Sequence, residues 1–204
     1  RPVSEVAAQM QEVKTVAQFQ HTYISLAISH IIDDSISKLT YSGLEELNDK
    51  GPCLFVSNHR DIILDSGLLN VLRYRISQAT TYIAIGDNLL ISPMVTELMK
   101  LNKSFVVHRN PPRQQMYAYS ERLSRYIRHL INEEMASVWI AQRSGRTKNG
   151  KDETQPSLLK MLAISGTDSF VETFGQLNIV PLCLSYEYEP CDYLKAEEQI
   201  AIAS

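Results

Sequence analysis

No apolar run in these 204 residues approaches the roughly 20 needed to cross a bilayer as a helix, so a transmembrane helix is not expected. The best runs, near Cys53 to Val56 and Val138 to Ala141, are strand-sized. Cysteine is also scarce. The three present, Cys53, Cys183 and Cys191, form no CxxC pair, which argues against a disulfide framework and a zinc site and fits a reducing cytoplasm. Cys53 and Cys183 read as small buried hydrophobes. Neither sign of charge dominates: 20 Lys+Arg against 23 Asp+Glu give a net charge of -3, without the basic face or stripe that a nucleic-acid partner would require. Repeats, low-complexity segments and a signal-peptide pattern are missing too. The start at Arg1-Pro2, without methionine, leads to the expectation of a piece of a longer chain.

What is present suits one domain: 44% hydrophobic and 21% charged residues over this length can bury one core. An N-terminal helical segment (1–40) precedes an α/β core (41–204). From Val13 to Lys38 a broad apolar side (Val16, Phe19, Tyr23, Ile24, Ala27, Ile28, Ile31, Ile32) recurs at helical spacing. Few basic residues line its polar side, so this long helix is expected to dock on the domain rather than lie in an anionic membrane surface. Loop compositions follow at Ser42-Gly43 and Asp49-Lys50-Gly51-Pro52. Five short runs rich in branched or aromatic residues then recur: Cys53 to Ser57, Thr80 to Ile85, Ser104 to His108, Ser137 to Ala141 and Ile179 to Ser185. Between them, Ile62 to Tyr74, Leu89 to Lys100, Arg113 to Glu133 and Pro156 to Phe174 read as helices, and a last helix starts near Asp192. This alternation predicts an α/β fold with a largely parallel central sheet flanked by helices. Ligands of such sheets gather at the carboxyl ends of the strands.

Polar clusters follow the strands: Ser57-Asn58-His59-Arg60-Asp61, Gly86-Asp87-Asn88, His108-Arg109-Asn110, and Gln142 to Gly150. His59 with Asp61 and Asp65 nearby has the components of a general base, an imidazole that accepts a proton near neutral pH and a carboxylate that fixes its tautomer. A hydrogen-bonded loop histidine and a helix-capping Asp61 account for the same residues. Arg109, Arg143, Arg146 and Lys148 offer donors for a phosphate, or a solvated basic loop.

Taken together, these clusters resemble the glycerol-phosphate and lysophosphatidate acyltransferases. Ser57-Asn58-His59-Arg60 with an aspartate a turn later is similar to their first block, and Ser104-Phe105-Val106-Val107-His108-Arg109 to the second. Gln142-Arg143-Ser144-Gly145-Arg146-Thr147-Lys148 is similar to the third and Ile179-Val180-Pro181-Leu182 to the fourth. The resemblance covers about residues 40 to 190. It is closest to a bacterial branch carrying Asn58-His59-Arg60-Asp61, Ala84-Ile85-Gly86-Asp87-Asn88-Leu89-Leu90 and Trp139-Ile140-Ala141-Gln142-Arg143 in this order. Two positions depart from the pattern. The family aspartate usually follows the histidine after four intervening residues, where Leu64 stands here, and Ser144-Gly145 replaces a Glu-Gly pair.

The resemblance implies a glycerol-3-phosphate acyltransferase-like fold. It also implies transfer of an acyl chain from acyl-CoA or acyl carrier protein to a hydroxyl of glycerol phosphate or a lysophospholipid at a membrane surface. No cofactor, metal ion or covalent enzyme intermediate is required. His59 would be the base, with Arg109 and Arg146 holding the acceptor phosphate and Arg143, Lys103 and Lys148 assisting. Asn58 and Arg60 would position the thioester oxygen or a phosphate, and Met94 and Met99 either line an acyl groove or pack in the core. Asp65 reads as the family aspartate displaced by one residue and Asp61 as a cap or second partner of His59, so Asp65→Asn is expected to cost turnover with little stability. A protein of the same fold that binds lipid without turnover is the alternative.

Overall fold

A computed structural model of the chain describes residues 10–47 and 50–203; residues 1–9 of the N-terminal segment, and Asp49 of the loop before Gly51, lie outside them. Helix α1 is α-helical at Val16–Phe19, π-helical at Gln20–Ile24 and α-helical again at Ser25–Ser35. Thr15 begins it through a capping box with Gln18, and Ile36 ends it by turning extended, so it is shorter than the apolar pattern suggested. Ile28 and Ile32 pack on Leu68 and Val71, while the buried Gln20 amide bonds to Asn102 and Thr80. α1 thus docks on the domain.

The α/β expectation is met. Strands β1 (Leu54–Ser57), β2 (Tyr82–Gly86), β3 (Ser104–Val107), β4 (Val138–Ala141) and β5 (Ile179–Leu182) form a five-stranded sheet in the order β3-β2-β4-β1-β5, with every pair parallel. The helices after them are α2 (Leu64–Arg75), α3 (Pro93–Leu101), α4 (Met116–Asn132), α5 (Pro156–Ala163), α6 (Phe170–Gly175) and α7 (Asp192–Ala203). Alternate strand residues feed two cores. Leu54, Val138 and Ile140 meet Ile127, Leu130 and Leu162 on one face, and Cys53, Phe55 and Trp139 meet Leu69 and Leu72 on the other.

Three sequence expectations need correction. The helix expected from Leu89 starts at Pro93, because Asp87–Leu89 form a 3-10 turn and the Ser92 side chain accepts the Val95 N–H. The helix expected over Pro156 to Phe174 is two helices: Ser169 caps a new start at Phe170, and Gly166 lies so close to Thr173 that a Cβ there would fall 2.3 Å from its methyl group. Cys183 is exposed, not buried, since it follows the edge strand β5, whereas Cys53 is 1% exposed.

The sheet is not closed along its whole length. β1 and β4 stay in register to Ser57↔Ala141, and β2 and β3 to Gly86↔Val107, but β2 and β4 pair only at Tyr82↔Val138 and Ile83↔Trp139. Beyond that point the strands part toward their carboxyl ends.

Candidate active site

A cleft of about 920 Å³ occupies this opening, lined by consecutive residues of both parted strands, Ile83 to Gly86 and Trp139 to Ala141. Its apolar part continues over Phe105, Leu123, Tyr126, Leu158 and Met161, and its polar rim carries His59, Arg109, Arg143, Arg146 and Lys148. Met94 and Met99 do not line it; Met94 stands exposed on α3 and Met99 lies beside Ser104. The apolar wall comes instead from the sheet, α4 and α5.

His59 follows β1 by two residues and is gripped by its main chain before its ring is considered. Its N–H donates to Asp152 Oδ2 at 2.7 Å, and its carbonyl accepts from Thr147 N–H at 2.9 Å. Asp152 is itself held by the Gln142 amide at 2.8 Å. The loop after β4 therefore fixes the loop after β1. The imidazole stands 6.0 Å from the Trp139 ring, edge on, and its Nδ1 lies 2.9 Å from Asp65 Oδ2. Asp65 is fully buried. Its Oδ2 also accepts from the N–H of Arg60 (2.7 Å) and Asp61 (3.0 Å), and its Oδ1 accepts from the Tyr186 hydroxyl at 3.0 Å. Groups able to donate surround both oxygens, the environment of a carboxylate without a proton. His59 Nδ1 then carries hydrogen, which leaves Nε2 with its lone pair.

The neighbouring Asp61 faces another way. Its Oδ1 accepts from the N–H groups of Ile63 and Leu64, each at 2.8 Å, and so caps the turn that leads into α2. Replacing it with alanine is expected to cost about 1 kcal/mol by denaturant unfolding, with kcat within about two-fold of the parent.

Of the cations, Arg143 Nη1 donates to the Lys151 carbonyl at 3.1 Å and Lys148 pairs with Glu198 of α7. Arg109 crosses the end of β2 at Gly86, where a Cβ would sit 2.4 Å from its Nε. Among the described residues no acidic side chain pairs with Arg109 or Arg146, so both keep donors for an anion. Gly145 and Gly150 carry φ of +75° and +78°, which bends this loop along the cleft at positions where a side chain would be strained.

Three expected substrate-binding residues are not brought to the cleft. Lys103 sits at the amino end of β3, where Nζ donates to Thr80 Oγ1 at 3.0 Å and lies over the Tyr82 ring; burial, then the charge of Arg73, pushes its amine down. Asn58 spends its amide on the Leu184 main chain, donating and accepting at 2.8 Å. Arg60 pairs with Glu189, and its carbonyl accepts from the buried Lys195 at 2.8 Å. These latter two residues tie the His59 loop to the segment after β5. Cys53 is no nucleophile either: it lies in the core, where burial pushes its thiol up.

The residues that sequence reasoning missed are Asp152, Tyr186, Glu189 and Lys195. The run Tyr186-Glu187-Tyr188-Glu189 is the polar cluster that follows β5, so the strand-end rule that marked the other clusters would have marked this one.

No helix among the described residues is long and apolar enough to cross a membrane. No curated protein matches the chain. A family model described as Acyltransferase matches residues 38–185, a span that runs from the loop before β1 through β5 and includes His59, Asp65, Arg109 and Arg146. With that match over most of its length, and a parallel α/β sheet that opens on a histidine and aspartate, the chain belongs to the acyltransferase family.

Proposed function

We propose that this acyltransferase moves a fatty acyl group from a thioester of coenzyme A or acyl carrier protein to the hydroxyl of a glycerol phosphate or lysophospholipid, of the 1-acylglycerol-3-phosphate type, with His59 as general base. The observation that carries the reading is His59, backed by the buried Asp65, at the rim of a cleft whose one part is apolar and whose rim is cationic. Nε2 of His59 takes the proton of the acceptor hydroxyl as its oxygen bonds to the thioester carbonyl carbon. The tetrahedral adduct then collapses, the carbon–sulfur bond breaks, and the thiolate takes the proton back from the imidazolium. Asp65 steadies the imidazolium between these events.

Arg109 and Arg146 hold the acceptor phosphate in this reading and so fix its hydroxyl against Nε2, removing part of the entropic barrier. Arg109→Ala or Arg146→Ala is expected to raise the acceptor KM about 10- to 100-fold, the loss of one charge-assisted hydrogen bond, with the donor KM within about two-fold. Equal weakening of both substrates would count against the assignment. The apolar cleft accommodates the acyl chain.

A long-chain acceptor and product reside in a membrane, and exposed Ile91 and Met94 near the start of α3, with Ile62 and Ile63 just past His59, suit contact with a lipid surface at the inner face of the cell membrane. The order of the Asn58-His59-Arg60-Asp61 block and its partners supports the bacterial branch. The altered Ser144-Gly145 favours the lipid-binding alternative, whereas the His59–Asp65 contact, intact and buried, favours turnover. Incubation of the protein with palmitoyl-CoA or palmitoyl-acyl carrier protein and a panel of glycerol phosphate and lysophospholipids, with product analysis, tests the reading. Acylated acceptor supports it; bound lipid without product sinks it.

A further inference from the structure

We infer that Tyr186 is a positioning residue for the reaction, acting on His59 through Asp65. The inference rests on the reading of His59 as the base. Asp65 is buried beyond the reach of water, and its two oxygens have different duties. Oδ2 takes the His59 ring and the N–H groups of Arg60 and Asp61, so the loop itself satisfies it. Oδ1 has one donor among the described residues, the Tyr186 hydroxyl at 3.0 Å. That phenol is carried on the segment that follows β5, the edge strand beside β1, and its ring packs beside the α1–α2 core of Ile28, Ile32, Leu68 and Val71. The ring is therefore anchored independently of the loop it serves. Without its hydroxyl the carboxylate could rotate about the Cβ–Cγ bond, and Oδ2 would lose the in-plane alignment that holds Nδ1–H.

The same bond sets charge as well as angle. A hydroxyl that donates to Oδ1 draws negative charge from the carboxylate, which lowers the pull of Asp65 on the proton of the imidazolium. The phenol remains a donor at neutral pH, because burial and the neighbouring Asp65 push its ionisation far up. The other charged groups that face this pair are Asp61 on its own loop, Asp152 from the loop after β4, and the Arg60–Glu189–Lys195 group from the segment after β5. Tyr186→Phe changes none of them. It also keeps the ring and so preserves the packing.

Two measurements test the inference together. Proton NMR of the free protein at one fixed pH, with His59→Ala used to assign the resonance, reads the imidazole Nδ1–H without any substrate. In Tyr186→Phe that resonance is expected to move from its parent position, as the alignment and charge of its partner Oδ2 change. With palmitoyl-CoA and 1-acylglycerol-3-phosphate, kcat is expected to fall about ten-fold with both KM values within about two-fold. A purely structural hydroxyl would lower the melting temperature and leave the resonance in place, and that result overturns the inference. So does an unchanged kcat in Tyr186→Phe while His59→Ala is inactive, which leaves the base assignment standing. If His59→Ala keeps full activity, the base assignment fails and the role of Tyr186 fails with it.

Discussion

His59→Ala is expected to lower kcat for acyl transfer about 100- to 10,000-fold, the range lost when a positioned general base is removed. The fold should hardly notice. The side chain is 12% exposed and lies at the edge of the cleft rather than in either core, and the two contacts that fix the loop, with Asp152 and Thr147, are made by its main chain. Alanine keeps both. Stability measured by denaturant unfolding should therefore change by no more than about 1 kcal/mol. A loss of stability that paralleled the loss of rate would mean that the histidine holds the loop, not the proton.

The second large effect belongs to Asp65. Asparagine in its place keeps one acceptor oxygen but presents amide hydrogens to a site where Arg60 N–H, Asp61 N–H, the Tyr186 hydroxyl and His59 all converge as donors. Even if the Tyr186 hydroxyl turns to accept from the amide, at least one buried hydrogen is left without an acceptor, and the imidazole loses the charge that balances its own. Turnover should fall about 100-fold or more, and stability by about 1 to 3 kcal/mol for a buried group left unsatisfied. The sequence alone suggested a loss of turnover with little loss of stability, because only the histidine was visible as a partner. Unfolding curves and kcat for Asp65→Asn beside Asp61→Ala separate the two aspartates: the first should lose rate and stability together, the second stability alone.

The contrast shows what a sequence reveals and what it hides. Short branched and aromatic runs mark strands and helical spacings mark helices, so their alternation, the parallel sheet and its polar ends were legible. So was the cluster around His59, since a strand end concentrates chemistry within a few residues. Contacts made across the sheet were not. Asn58 looked free to bind a ligand because nothing in its neighbourhood in sequence claims its amide, yet Leu184 does, 126 positions away. Lys103 was expected to assist in holding the phosphate, but it precedes β3, and a residue at the amino end of a parallel strand lies away from the ligand end. The sequence already marked Asp65 as the partner of His59 and Asp61 as a cap; what it did not encode are the backbone N–H groups that hold each carboxylate.

The parting of β2 from β4 also decides what fixes the width of the cleft. Strands in a ladder are held at one spacing by hydrogen bonds that either form or break. Past Ile83 and Trp139 no ladder joins the two parts of the sheet among the described residues. Their separation is set instead by α4, against which Phe105 packs from one side and Val138 and Ile140 from the other, through Ile127, Leu130 and Ile131. Apolar packing is graded and has no preferred direction, so the gap takes its width from the volume of those side chains. A methylene added or removed at Ile127, Leu130 or Ile131, behind the lining of the cleft, would thus act as a shim that alters its bore.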